Sequence, residues 1–432
     1  EAMRALLRVS FADTMGVAAI GATTDMAEAA RKSTVRLFGA GSAGSARMLM
    51  DGRAVSPVGA AMAGAFTVDS VDAHDGTTPN KGHVGSAVFP ALLAVADAMR
   101  AEGRAVTGAD FLLWLAIGYE VSSRAGKAQH ATCPDYHTSG SWTAVGVAVA
   151  VARMLGLDGE RVRHAAGIGE YHGPRSQMMR CIDFPTMLRD GVGWGAPSGV
   201  TAAYLALDGF TGAPALTCES EEAAEFWAGL GSEWMTLADT HYKKFPCCRW
   251  AHPSMDAAQA LMEENGLHHA DVARVEIRTF HYATRLAGHR PASMDELAYS
   301  IAFPVATMIV RGGFGAREMD AAVLADQDII RVSEATELID DDEMTARSVE
   351  KRWAAVTIIT KGGARYEAEP RSARGDVDAP LSEDEMRDKY HMFADPVLGR
   401  ARAEKIRALC LRFDALDAQE FAGLLDLVLA AP

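Results

Sequence analysis

The chain has 432 residues, is 49% hydrophobic and 23% charged, and carries a formal net charge of −15. This composition suits a globular protein long enough for two domains, and it lacks the basic excess or basic stripe of a nucleic-acid binder. No apolar run reads as a membrane span, because the longest uncharged stretch, Gly191 to Leu207, is interrupted by glycines and Pro197. The six cysteines form no CxxC pair and no zinc spacing, which predicts free thiols in a reducing, cytoplasmic setting. No signal-peptide pattern is visible, and residue 1 is not Met, which leaves the natural start open.

In chain order, Ala-, Leu-, Val- and Met-rich runs predict helices over Glu1–Ile20, Asp25–Phe38, Val58–Phe66, Ser86–Arg100 and Gly108–Ser123. Further helices are predicted over Ser141–Leu155, Gly159–Gly169 and Ser198–Leu207. Thr107-Gly-Ala-Asp110 and Leu157-Asp-Gly-Glu160 have the polar and acidic residues of helix starts. Small residues on several faces of these helices predict a large helical core.

The pattern changes near Asp239. Pro253–Asn265 reads as a helix, and Val272-Ala-Arg-Val-Glu-Ile-Arg-Thr-Phe alternates as a half-buried strand does. Helical patterns follow at Leu297–Arg311 and Asp320–Ala325, then a charged loop or short helix over Asp340–Arg352. Ala354-Ala-Val-Thr-Ile-Ile-Thr reads as a second half-buried strand, closed by a hairpin turn at Lys361-Gly-Gly-Ala. Glu383–Lys389 and Gly399–Ala418 return to helix. The prediction is therefore a mainly α protein: a large all-helical domain over residues 1–238 and 385–432, with a smaller α+β domain over 239–384 inserted.

Five segments carry polar groups that an apolar setting would normally exclude. The first, Asp72-Ala-His-Asp75-Gly-Thr-Thr-Pro-Asn-Lys81-Gly-His83, places two carboxylates, two imidazoles and a lysine on a short loop between apolar helices. Pro79 and the nearby glycines forbid a regular helix there, so the groups either pair or do chemistry. Metal ligation by Asp72, His74, Asp75 and His83 is only weakly supported by loop spacing. The second, Tyr136-His137-Thr-Ser, leads into a helix, and His137 is either a plain loop residue or a general acid/base.

The third, Arg189-Asp190 in a glycine-rich stretch, is either an internal ion pair or an arginine clamp on a substrate carboxylate. The fourth, His241-Tyr-Lys243-Lys244-Phe-Pro-Cys247-Cys248-Arg249-Trp-Ala-His252, is the densest basic cluster of an acidic chain and suits an anion-binding role. The sequence leaves open which of Lys243 and Lys244 points inward. The fifth, Tyr299-Ser300-Ile, offers a hydroxyl that caps a helix or bonds a substrate. Gly39-Ala-Gly41-Ser-Ala-Gly44 matches GxGxxG but lacks the following βαβ unit and acidic residue, so it reads as chance. No GxSxG and no HExxH is present.

Taken in order, these segments resemble the MmgE/PrpD superfamily. Asp72-Ala-His-Asp-Gly with Lys81-Gly-His83-Val-Gly-Ser resembles its Asp-x-Asp-Asp-x…Gly-His-Pro-x-Ser loop, and Tyr136-His137-Thr-Ser its aromatic-His-Pro-Thr-Ser. Gly209-Phe-Thr-Gly212, the Lys243–His252 block and Tyr299-Ser300-Ile resemble further family segments. The resemblance implies a homodimer, an interdomain active site, and neither metal nor organic cofactor. It points to Asp72, His83, His137, Arg189, Lys243, Cys247 or Cys248, and His252. There are departures: His74 stands where an Asp is common, Val84 where Pro is, and Arg189 where many relatives have Lys. Arginine keeps its charge and does not act as a base at ordinary pH, which favours a clamp.

The expected chemistry breaks a bond next to a carboxylate, so cations must stabilise the developing charge and a histidine must move a proton. His83 and His137 are expected as acid and base, with Asp72 or Asp75 orienting an imidazole. Lys81, Arg189, Lys243 and Arg249 are expected to bind substrate, with His252 and Ser300 as further candidates. The expected reaction is dehydration of a hydroxy di- or tricarboxylate. The alternatives are epimerisation or decarboxylation of a similar acid, and a non-catalytic carboxylate binder.

Overall fold

The computed structural model describes residues 1–41, 44–286 and 288–432. Ser42 and Ala43 of the Gly39–Gly44 motif lie outside the described residues. The chain divides into two compact units. One comprises residues 1–178, 188–240 and 383–432, and the other residues 179–187 and 241–382. The expected helical domain had included 179–187. In the structure this segment joins the second unit, where Arg285 Nε donates to Asp183 Oδ1 at 2.8 Å.

The first unit is built from helices α1 (Ala2–Gly21), α2 (Asp25–Leu37), α3 (Pro57–Asp69), α4 (Gly85–Ala101), α5 (Gly108–Thr132), α6 (Gly140–Met154), α7 (Gly159–His172) and α8 (Val192–Leu207). The starts of α5 and α7 form where the caps predict. Thr107 and Asp110 make a reciprocal capping box, and Asp158 accepts from the Arg161 amide at 3.0 Å. In α4 every residue from Gly85 to Met99 is buried. A helix apolar on all faces belongs in the middle of a core, and the alanines of α3, α4 and α6 let their neighbours pack closely. No single helix among the described residues is long and apolar enough to cross a membrane.

The second unit contains α9 (His252–Glu264), α10 (Ala302–Arg311) and α11 (Gln327–Glu334). Its strands are β1 (Val272–Thr279), β2 (Thr336–Asp340), β3 (Trp353–Thr360), β4 (Arg365–Glu367) and β5 (Arg371–Ser372). The sheet order is β2-β1-β3-β4, with β5 also pairing β3. β1 and β2 run parallel (Val275 opposite Thr336), and β1 and β3 antiparallel (Ile277 opposite Val356). Two expectations change here. β3 is buried without alternation from Ala354 to Ile358, because it is a central strand with α9 packed on it. β2 lies just before the expected loop and meets it only at Asp340, and it is a short edge strand whose Thr-Glu-Leu-Ile-Asp carries little apolar signal.

Three C-terminal helices return to the first unit: α12 (Glu383–Leu398), α13 (Arg400–Cys410) and α14 (Ala418–Leu429). Apolar burial ties them to the N-terminus. Phe11 stacks on Phe89 at 5.0 Å and meets Phe413 edge-on at 5.2 Å, while Phe111 lies 5.0 Å from Phe421. Arg8 adds a two-pronged bond to Asp414, at 2.6 and 2.8 Å. Lys389 of α12 reaches further in. Its ammonium lies 2.7 Å from Asp13 and donates to the Ala73 carbonyl at 2.8 Å. The C-terminal segment thereby supports the polar loop after α3.

Candidate active site

The loop from Ser70 to Val84 is bent by its own backbone. Among the described residues, three non-glycine positions have positive φ, and two are here, Asp72 at 51° and Lys81 at 53°. Such conformations cost about 1–3 kcal/mol each and persist only where the surroundings enforce them. Residues 77–82 form a small hairpin closed by Thr77 N to Gly82 O at 2.8 Å. A Cβ on Gly82 would lie 2.2 Å from Ser139 Oγ, so only glycine lets the next residue approach the α6 start.

His83 occupies the centre of this arrangement. Its amide donates to Ser139 Oγ at 3.0 Å, and its Nδ1 meets the Asp75 carbonyl at 2.7 Å. Its Nε2 faces two carboxylates, Asp190 Oδ2 at 3.4 Å and Asp72 Oδ1 at 4.0 Å. Ser139 Oγ is also 3.4 Å from Asp190 Oδ1. Both ring nitrogens of His83 thus confront acceptors, which is the environment of an imidazolium. The ring is 12% exposed, whereas Asp190 and Asp72 are buried.

His74 is wholly buried beside it, with ring centroids 4.4 Å apart and planes at 74°. Its Nε2 lies 3.1 Å from Asp69 Oδ1 and 3.8 Å from Asp72 Oδ1, and its Nδ1 3.2 Å from the Asp75 carbonyl. Asp72, His74 and His83 each place one ligand atom within 4.8 Å of the others, as do Asp69, His74 and Asp190. The 3.8 and 4.0 Å separations at Asp72 exceed the edge of about 3.3 Å that metal–ligand bonds of about 2.0–2.1 Å impose on a tetrahedral zinc site.

The expected role of Asp75 is corrected. Its carboxylate does not orient an imidazole. It accepts from Tyr119 Oη at 2.6 Å and from the Gly85 amide at 3.0 Å, at the start of α4. Only its carbonyl touches the histidines. Burial raises the Asp75 carboxyl to about 6, against the opposing pull of the Tyr119 hydroxyl. Asp190, read from sequence as one half of either an Arg189 ion pair or a clamp segment, faces His83. Asp69, Ser139 and Tyr119 also belong to the cluster. Ser139 closes the Tyr136-His137-Thr-Ser segment marked in the sequence, whereas Asp69 and Tyr119 carried no signal, because each is an ordinary helix-end or helix-interior residue until the chain folds.

His137 is buried, and its Nδ1 has no hydrogen-bond partner among the described residues. The next residues run beside the cluster: Thr138 N bonds Ser176 O and Gly140 N bonds Asp190 O, each at 2.9 Å. Arg189 is buried as well. Lys81 is exposed, its ammonium 5.6 Å above the Tyr136 ring, and Tyr136 Oη donates to the Lys81 carbonyl at 2.8 Å. His130 of α5, unmarked in the sequence, is held by burial and the Lys81 charge to about 4 and stays neutral.

In the second unit the Lys243–Lys244 ambiguity is resolved. Lys243 is wholly buried, whereas Lys244 pairs with Asp256 at 3.1 Å on α9. His252 is buried with Nε2 3.2 Å from the Cys247 carbonyl and its ring edge-on to Phe245. His241 is driven well below the usual histidine range by burial and by the charges of Arg249 and Lys243. Two expected ligand-binding residues are structural. Arg249 donates to Asp376 Oδ1 at 2.6 Å and to the Arg374 and Tyr242 carbonyls, which occupies its guanidinium. Ser300 Oγ donates to the Gly288 carbonyl at 2.5 Å and accepts from the Phe303 amide, capping α10.

An imidazole framed by carboxylates, on a scaffold of buried helices, is an arrangement suited to acid/base chemistry. The family models described as the MmgE/PrpD N-terminal domain and the MmgE/PrpD C-terminal domain match residues 1–229 and 245–414. The chain belongs to the MmgE/PrpD family. It is 23% identical to the cis-aconitate decarboxylase of Aspergillus terreus, over 89% of this chain and 84% of that protein. It is 22% identical to that of Homo sapiens, over 94% and 86%. A cis-aconitate decarboxylase-like protein of Aspergillus oryzae matches at 21%, over 87% and 83%. The two decarboxylases are enzymes, and this chain is an enzyme.

Proposed function

We propose that the chain is a lyase that decarboxylates a small unsaturated di- or tricarboxylate. The observation that carries this reading is the setting of His83, with Nδ1 against a backbone carbonyl and Nε2 against Asp190 and Asp72. A histidine so placed holds its proton at rest. Decarboxylation needs a proton donor: the C–C bond breaks, CO₂ leaves, and the electron pair stays on the carbon, spread into the adjoining unsaturated acid. The proton on His83 Nε2 then goes to that carbon, and solvent restores it.

Dehydration, the expectation from sequence, starts with removal of a proton by a neutral base, which the surroundings of His83 disfavour. The names of the relatives support decarboxylation in the same direction. Arg189 is proposed to hold a substrate carboxylate and stabilise its developing charge. His137, with an Nδ1 that no described residue engages, is proposed as the second proton carrier.

The test is to incubate the protein with cis-aconitate and, separately, with citrate and 2-methylcitrate. CO₂ release from the unsaturated acid, with no alkene absorbance from the hydroxy acids, is the expected result. Alkene formation without CO₂ would replace decarboxylation by dehydration. Binding without turnover of any of the three would leave a carboxylate binder.

A further inference from the structure

We propose that His74 is a positioning residue: a permanently protonated, buried imidazolium that fixes Asp72 and makes His83 a readier proton donor. This rests on the reading of His83 as the proton carrier. His74 is fully buried, and its nitrogens face three acceptors: Asp69 Oδ1 at 3.1 Å, Asp72 Oδ1 at 3.8 Å and the Asp75 carbonyl at 3.2 Å. A neutral imidazole has one N–H and one lone pair, so one nitrogen would set its lone pair against an oxygen's. The doubly protonated ring satisfies both contacts.

Its charge acts on two neighbours. Asp72 Oδ1 lies between the Nε2 atoms of His74 and His83, at 3.8 and 4.0 Å, so the His74 charge holds that carboxylate in place. The two rings are 4.4 Å apart. A fixed positive charge that close weakens the hold of His83 on its own proton.

Further charged groups stand near His74. Asp69 comes from the end of α3, and Asp190 from the segment before α8, with its oxygen within the same 4.8 Å set. The loop supplies Asp72, His83 and the buried Asp75 carboxyl, which Tyr119 of α5 engages. Lys389 of α12, paired with Asp13 of α1, holds the adjoining Ala73 carbonyl. Three carboxylates, Asp69, Asp72 and Asp190, thus surround two imidazoliums. The carboxylates favour the protonated form of both rings, while each ring lowers the other's affinity for its proton.

The test is a pH titration of the ring ¹⁵N signals of the whole chain, without substrate. In the wild type the His74 signals should be those of a doubly protonated ring through neutral pH, and a neutral His74 ring would overturn the proposal. In His74→Asn, folding checked by circular dichroism, His83 should release its proton about one unit higher in pH, about tenfold tighter. In His74→Asp the shift should be larger in the same direction. An unchanged His83 titration in both folded variants would also overturn it. Should the variants not fold, the wild-type spectrum alone decides the charge of His74. The pH profile of kcat separates the two claims: His83 signals that move while the profile stays fixed would retain the His74–His83 coupling and refute His83 as the proton carrier.

Discussion

Asp190 Oδ2 stands 3.4 Å from Nε2 of His83, and the same carboxylate reaches Ser139 Oγ, which accepts from the His83 backbone amide. One carboxylate therefore sets both the charge and the place of the imidazole. Asp190→Asn keeps the shape and removes the charge. The His83 imidazolium then loses a counter-ion, so it gives up its proton at lower pH. The fall in kcat on the alkaline side should begin at lower pH, and kcat at neutral pH should drop about 10- to 100-fold. An unaltered pH–rate profile would show that Asp190 does not support the proton on His83.

Asp75 gives a stability prediction. Its carboxyl sits at about 6 in the folded chain, against an ordinary 3.8, because burial disfavours the charge. The folded state therefore holds the proton more tightly than the unfolded state. Stability from this group is present below the ordinary value and is lost as pH rises to about 6. The shift corresponds to roughly 3 kcal/mol. Asp75→Asn, which never ionises, should show a flatter urea-unfolding free energy between about pH 4 and pH 6.5. Parallel curves for the two proteins would mean that Asp75 is not raised.

Gly85 begins α4, and a Cβ there would lie 2.4 Å from Tyr119 Oη and 2.6 Å from Asp75 Oδ1. Gly85→Ala should cost about 1–3 kcal/mol of stability. Gly159 at the start of α7 has no atom within 4 Å of the same position, so Gly159→Ala should be neutral or mildly stabilising. Thermal unfolding of the pair compares the two starts directly, and equal melting points would contradict the crowding at Gly85.

Arg249 separates a structural cation from a substrate-binding one. Its guanidinium is buried against Asp376 and two carbonyls. Arg249→Met should lower stability by about 3–5 kcal/mol, because Asp376 is left buried without its partner. The folded fraction should keep the wild-type KM. A large rise in KM with little loss of stability would restore Arg249 to the substrate site.

The helical scaffold was legible in the sequence because Ala- and Leu-rich runs with Thr107 and Asp158 caps are local signals. The loop around His83 was legible as a site because polar crowding between apolar helices is costly wherever it occurs. Its wiring was not. Asp75 and Asp190 look alike in sequence, and only the packing of α5 and α6 decides that Tyr119 takes the first and His83 the second. Arg249 likewise reads as an anion binder until Asp376, far along the chain, is seen to occupy it. β2 escaped notice because a five-residue parallel edge strand, Thr-Glu-Leu-Ile-Asp, carries almost no periodicity.

The most direct measurement is the turnover of folded His83→Gln against the wild type on the substrate that releases CO₂. The account predicts that kcat falls about 10²- to 10⁴-fold while the fold is retained. A folded His83→Gln protein that decarboxylates at the wild-type rate would contradict it.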